Sequence, residues 1–137
     1  MENPKNHYVG NVAQKAIIEK DSSILVVRGI GDRVWGFPGG RLHAEETPYP
    51  GLVREVKEEL GIDIKVLLPI SVIRSYHRKS ATWQVFVAYF CKIVGDTSVT
   101  IDPVEIEEVK WITKEELKII PMFDDCREVA NVYLNHV

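Results

Sequence analysis

The sequence predicts an α/β (α+β) domain: a mixed β-sheet covered by helices on both of its faces. Three observations carry that expectation. Runs rich in β-branched and aromatic residues occur at 13–19, 24–27, 82–94 and 106–112, as strands require. Helical patterns at 48–60 and 124–134 are interleaved with or follow them, which favours strands sandwiched between helices. A length of 137 residues, 45% hydrophobic and 27% charged, suits one domain spanning 1–137 with a proper core and no need of disulfides.

Taken in order, residues 13–19 and 24–27 form a hairpin around the polar turn Lys20-Asp21-Ser22-Ser23. A loop rich in glycine follows over 29–40. The helix at 48–60 starts with Thr47 as its capping side chain and Pro48 at the first helical position, where a missing N–H is harmless. Pro50 still falls in the first turn; Gly51 weakens it. Gly61 closes the helix. Residues 62–74 read as one or two strands interrupted near Pro69, and 82–94 as a long core strand. After the strand at 106–112, Thr113-Lys114-Glu115-Glu116 has the order of a capping box and starts a short helix. The last helix covers 124–134.

A net charge of −3 argues against a protein devoted to holding a nucleic-acid backbone, which needs clustered positive charge. Free nucleotides stay compatible, since a divalent cation can supply that charge. Cys91 and Cys126 match no metal or redox spacing and read as buried small hydrophobes in a reducing cytoplasm. The first seven residues are polar, with no apolar leader, and no run is long enough to span a bilayer. The expected setting is cytoplasmic, without membrane contact.

The chemistry is concentrated between Phe37 and Ile62. At about 100° per residue, Leu52, Val53, Val56 and Leu60 gather on one side of the helix and Glu55, Glu58 and Glu59 on another. Three such acids repel one another, an arrangement that suits a hard cation taking carboxylate oxygens while keeping positions for water and phosphate. Arg54, four residues before Glu58, can orient or partly neutralise the cluster. Gly39 and Gly40 allow the preceding loop to approach the acidic side closely. Taken alone, the segment from Arg54 to Leu60 also fits an ordinary solvated amphipathic helix.

Gly40, Glu46, Arg54-Glu55, Val56, Lys57, Glu58-Glu59, Leu60, Gly61 and Ile62 stand at spacings that resemble a complete Nudix box, across 23 residues. Weaker likeness extends along the chain, through the strand at 24–28, Trp35-Gly36-Phe37-Pro38-Gly39-Gly40, and Val109-Lys110-Trp111. The resemblance to Nudix (MutT-like) pyrophosphohydrolases implies a three-layer α/β/α sandwich. It implies Mg²⁺ or Mn²⁺ bound by Glu55, Glu58 and Glu59 with the Gly39 carbonyl as an additional ligand. Arg54 would orient Glu55; Gly40, Glu46 and Gly61 would support the site. The reaction implied is hydrolysis of a pyrophosphate bond in a nucleoside diphosphate linked to another moiety. The base could be Glu55, Glu59 or a later glutamate: Glu105, Glu107 or Glu108.

For the rest of the substrate the residues offer Arg28 for phosphate and Trp35, Tyr76, Trp83 and Trp111 as rings on which a base could stack, each of them equally open to core or surface packing. His77-Arg78-Lys79 is a small basic loop. The expected partner is a small nucleotide with no stable nucleic acid, and a homodimer is compatible. Two other readings are a catalytically silent Nudix-fold nucleotide-binding module, which usually loses box carboxylates kept here, and an enzyme acting on 5′-triphosphate or capped RNA, which the acidic balance disfavours.

Overall fold

The computed structural model describes residues 6–136; residues 1–5 of the polar leading segment, and residue 137, lie outside the described residues. The elements are β1 (Asn11–Lys20), β2 (Ser23–Gly29), β3 (Gly39–Arg41), α1 (Pro48–Leu60), β4 (Ile64–His77), β5 (Thr82–Ile93), β6 (Ile106–Thr113), α2 (Lys114–Ile119) and α3 (Asp124–His136). The sheet runs β4-β5-β1-β2-β6, with β3 also paired to β1. β1 and β5 are parallel and the other pairs antiparallel, so the sheet is mixed.

Alternation along the strands divides the core into two layers. Ala13, Ile17, Ile24, Val26, Phe86 and Ala88 face Cys126, Val129, Ala130 and Tyr133 of α3. Ala16, Ile18, Leu25, Val27, Tyr89 and Cys91 face Leu52, Val56 and Leu60 of α1. The three α1 side chains are fully buried, each contributing about 1.5–3 kcal/mol of apolar transfer. The result is the expected α/β/α sandwich. No helix among the described residues is long and apolar enough to cross a membrane.

The β1–β2 hairpin turns on Asp21 and Ser22, both at positive φ (50° and 66°), the combination a two-residue primed turn requires. The two strands pair only as Glu19 with Ile24 and Lys20 with Ser23, then part. Residues 36–41 enter the wedge so formed. Gly36 exchanges both backbone hydrogen bonds with Val27, and the Ala16 N–H donates to the Pro38 carbonyl. Deeper in, β3 pairs with Ala13–Lys15 through Gly39–Arg41. Gly39 has φ +140°, and a Cβ there would lie 2.0 Å from the Gln14 carbonyl oxygen, so only glycine fits.

One local expectation needs correction. Thr47 is the N-cap of α1, yet its side chain makes no capping hydrogen bond: Pro50 occupies the third helical position and has no N–H to offer. Gly51 is a packing position as well as a weak helix former, because a Cβ there would come within 2.7 Å of Leu42 Cδ1 and 3.0 Å of Glu46 Oε1. Elsewhere Gly61 ends α1 in the left-handed conformation (φ 68°) with its N–H on the Lys57 carbonyl. β4 continues through Pro69 as one strand by register shifts on both sides of it, tolerated at the sheet edge. The Thr113–Glu116 capping box forms in full.

Candidate active site

α1 packs against β1 and β3, and Lys15, Gly40 and Glu59 from these three elements all line a cleft of about 980 Å³. Glu59 is the most deeply set acid of the helix, 8% exposed, and its Oε1 accepts the Gly39 N–H at 2.8 Å. Burial pushes the Glu59 carboxyl up to about 7. Lys15 and the Gly39 N–H oppose the rise, while Glu55 and Glu105 add to it. Glu55 lies against the backbone of Gly40, where a Cβ would sit 2.7 Å from Oε2. A Cβ at Gly40 would therefore displace the end of the Glu55 side chain. Glu58 is the most exposed of the three, its side chain 59% exposed, and neither Glu55 nor Glu58 is among the residues lining the cleft.

Arg54 organises the group. Its Nε and Nη2 donate to the two oxygens of Glu46 at 2.9 and 2.7 Å, a forked pair that fixes the guanidinium plane. Nη1 donates to Glu55 Oε1 and Glu58 Oε2, both at 3.1 Å. Glu46 also accepts the His43 N–H at 2.9 Å. Arg54, and after it that backbone bond, hold the Glu46 carboxyl down at about 2. The acids of α1 thus stand at different depths: Glu55 and Glu58 are countered by Arg54, and Glu59 is left desolvated.

Carboxylate oxygens and a backbone carbonyl are the donors that a hard divalent cation takes, and Glu59 is a buried carboxylate whose charge needs compensation, so the residues fit such an ion. Among the described residues no three His, Cys, Asp or Glu side chains are gathered tightly enough to enclose one. The Gly39 carbonyl has the Lys15 ammonium 3.5 Å away.

Of the side chains expected to meet the rest of a substrate, Tyr76 lines the cleft, as do Trp83 and the basic run His77-Arg78-Lys79. Arg28, Trp35 and Trp111 do not. The Arg28 guanidinium is taken up by Glu107, by Glu108 at 3.1 Å and by the Asp32 carbonyl at 3.0 Å. Trp35 is 6% exposed in the α3-side core, its backbone tied to Pro121 and Phe123. Trp111 packs against the α1-side core with Lys20 over its ring. Trp35 and Trp111 serve packing here, and the strand-end arginine neutralises acids of β6.

Arg28's engagement of Glu107 and Glu108 also narrows the later glutamates, since Glu105 lines the cleft and acts on Glu59. Sequence reasoning missed Lys15, Arg41, Ser75, Gln84 and Phe123 in the cleft wall. A signal existed for two of them: Lys15 stands in the phase of Ala13 and Ile17, and Gln84 in that of Phe86 and Ala88, polar residues where the strand's alternation calls for apolar ones.

The NUDIX domain profile matches residues 11–131, and the chain belongs to that family. It is 30% identical over 101 residues to a MutT-like protein of Streptomyces ambofaciens, covering 74% of this chain and 62% of that protein. It is 38% identical over 114 aligned residues to an RNA pyrophosphohydrolase of Marinomonas sp., covering 71% of each. The first curated relatives it matches are longer, and the chain spans about six-tenths of their length. The crystal structure of a MutT NUDIX hydrolase from Burkholderia pseudomallei shares the fold, with TM-score 0.77 at 23% identity, covering 88% of this chain and 95% of that one.

Proposed function

We propose that the protein is a divalent-cation-dependent pyrophosphohydrolase, working as a single domain on a nucleoside diphosphate linked to another moiety, with nucleoside triphosphates and nucleotide sugars as first candidates. The observation that carries this reading is the buried Glu59 carboxylate, held on the Gly39 N–H in the wall of an open cleft. Glu55, Glu58, Glu59 and the Gly39 carbonyl would hold Mg²⁺ or Mn²⁺. When bound, the ion neutralises charge on the diphosphate oxygens and supports in-line attack by water. Arg54 keeps Glu55 and Glu58 in place, and Glu46 locks Arg54 by its forked pair. Glu59 and Glu105, which both line the cleft, would take the proton of the attacking water, with Glu55 as the alternative. Two phosphorus-containing products result.

Several relatives are named RNA pyrophosphohydrolases, and the basic hairpin tip at 77–79 lines this chain's cleft, so 5′-triphosphate RNA is the second substrate class to try. The deciding experiment incubates the protein with nucleoside di- and triphosphates, nucleotide sugars, dinucleoside polyphosphates and triphosphorylated RNA, with Mg²⁺ or Mn²⁺, and identifies products. Turnover by the intact protein and a fall of several orders of magnitude in Glu58→Gln support the reading. Binding of a nucleotide with no product from any of them points instead to a silent binding module. Sedimentation of the same sample tests for a homodimer.

A further inference from the structure

Gln84 is 2% exposed and stands on β5 in the core-facing phase of Phe86 and Ala88. Directly across the strand pair, Ser75 is 8% exposed and accepts the Gln84 Nε2–H at 3.0 Å. In this orientation the amide is bonded to Ser75 through Nε2, and Oε1 is the end left over. Gln84 Oε1 is the one buried side-chain polar atom without a hydrogen-bond partner among the described residues, in a class of atoms that folded proteins almost always satisfy. Gln84 belongs to the wall of the same cleft as Glu59.

The surroundings define what would satisfy it. Ile73 and Phe86 flank Gln84 along the paired strands and line the cleft with it, and Phe123, 43% exposed, stands in the same wall. A flat ring fits between apolar and aromatic neighbours, and an edge N–H on that ring matches an orphan carbonyl oxygen. Oε1 is covered by its neighbours and accepts no hydrogen bond there; the amide is held through Nε2 alone, and its terminal torsion is broad. Swinging the amide out toward the cleft gives up the Ser75 hydrogen bond.

We infer that Gln84 reads the nucleobase, its Oε1 accepting an N–H from the exocyclic amine of adenine, guanine or cytosine. The inference rests on the nucleotide-hydrolase reading for its ligand class and adds a specificity residue on β5 to it. A site that hydrogen-bonds a ligand amine rejects the analogue lacking it, because the buried polar group is then unmatched.

The test compares ligands that differ by that amine, by calorimetry on the full chain: AMP against purine riboside 5′-monophosphate, GMP against IMP, and CMP against the monophosphate of pyrimidin-2-one riboside. The amine-bearing member of the best-bound pair is expected to bind roughly tenfold tighter. In Gln84→Met, of similar length without the polar end, the difference should shrink to about twofold or less. Equal affinities within every pair, no binding of any of the six at millimolar concentration, or a preference kept intact in Gln84→Met overturns the inference. Should that variant not fold, the wild-type pairs alone decide. Release of product from ATP, GTP and CTP with Mg²⁺ is measured alongside: turnover without amine preference removes the role of Gln84 and leaves the hydrolase, whereas amine-dependent binding without turnover removes the hydrolase alone.

Discussion

The Gly39 amide donates to Glu59 Oε1 at 2.8 Å, joining the loop wedged between β1 and β2 to the last turn of α1. Each partner explains the other. Glu59 can lie this deep because a backbone donor meets it, and Gly39 can offer that donor because its positive φ carries the chain past Gln14 without a side chain in the way.

That contact sets a pH dependence in the metal-free protein. The Glu59 carboxyl titrates near 7 when folded against an ordinary 4.5, so between those values the folded state holds more protons than the unfolded one. The stability it contributes is fully present below 4.5 and is lost as pH rises through 7, a loss on the order of 3 kcal/mol when complete. Urea midpoints in EDTA should fall between pH 5 and pH 8.5, and Glu59→Gln should flatten the decline. Parallel profiles for the two proteins would contradict this.

The two glycines of the loop should separate stability from activity. Gly39→Ala puts a methyl 2.0 Å from the Gln14 carbonyl, rigid backbone that cannot yield, and should destabilise by about 3 kcal/mol. Gly40→Ala meets only the end of the Glu55 side chain, so melting should change little while turnover drops roughly 10²-fold through displacement of that carboxylate. Thermal melts beside product assays decide, and equal effects of the two substitutions would sink the distinction.

Arg54→Ala removes the partner of three glutamates. Activity is expected to fall roughly 10–100-fold, as for other residues that hold ligating groups in place. The folded Glu46 carboxyl is depressed from 4.5 to about 2, so its contribution to stability is present above 4.5 and is lost as pH falls toward 2. Acid unfolding of Arg54→Ala should accordingly begin from lower stability at pH 5 and decline less steeply than wild type; an unchanged acid limb is the disproving result.

Gly51→Ala sets helix propensity against packing. Alanine gains about 1 kcal/mol in a helix interior, but its Cβ would press on Leu42 and on the Glu46 carboxylate, which Arg54 and the His43 N–H hold still. A net loss of about 1 kcal/mol is expected. Stabilisation by this substitution, seen in a denaturant titration, would show that the Glu46 loop is softer than its hydrogen bonds imply.

Features that depend on close neighbours along the chain are legible in the residues themselves. The turn at Asp21-Ser22, the apolar stripe Leu52-Val56-Leu60, the Gly61 stop and the Thr113 capping box are all local, and each forms as expected. What sequence reasoning misplaces turns on partners far along the chain. Trp35 looks the same whether its ring meets a base or the underside of α3, and Arg28 shows no sign that Glu107 and Glu108 will close on it. Thr47 fails for a local reason: its residue type suits a cap, but Pro50 removes the donor that the cap would accept. The spacing of the box groups Glu55, Glu58 and Glu59 and brings Arg54 to two of them, but the depth of Glu59 depends on where β3 lies.

The brief pairing of β1 with β2 also bears on the order in which the molecule assembles. A hairpin sealed for only two residue pairs is a weak nucleus, and the longest partnership of β1 is its parallel one, Asn11 with Gln84 through Ile18 with Cys91, which must wait for a large stretch of chain to close upon itself. The β4–β5 hairpin, local and extensively paired, is the better early template. Refolding should therefore show β4–β5 amides protected from hydrogen exchange ahead of those around Gly39, with catalytic competence arriving in the last kinetic phase.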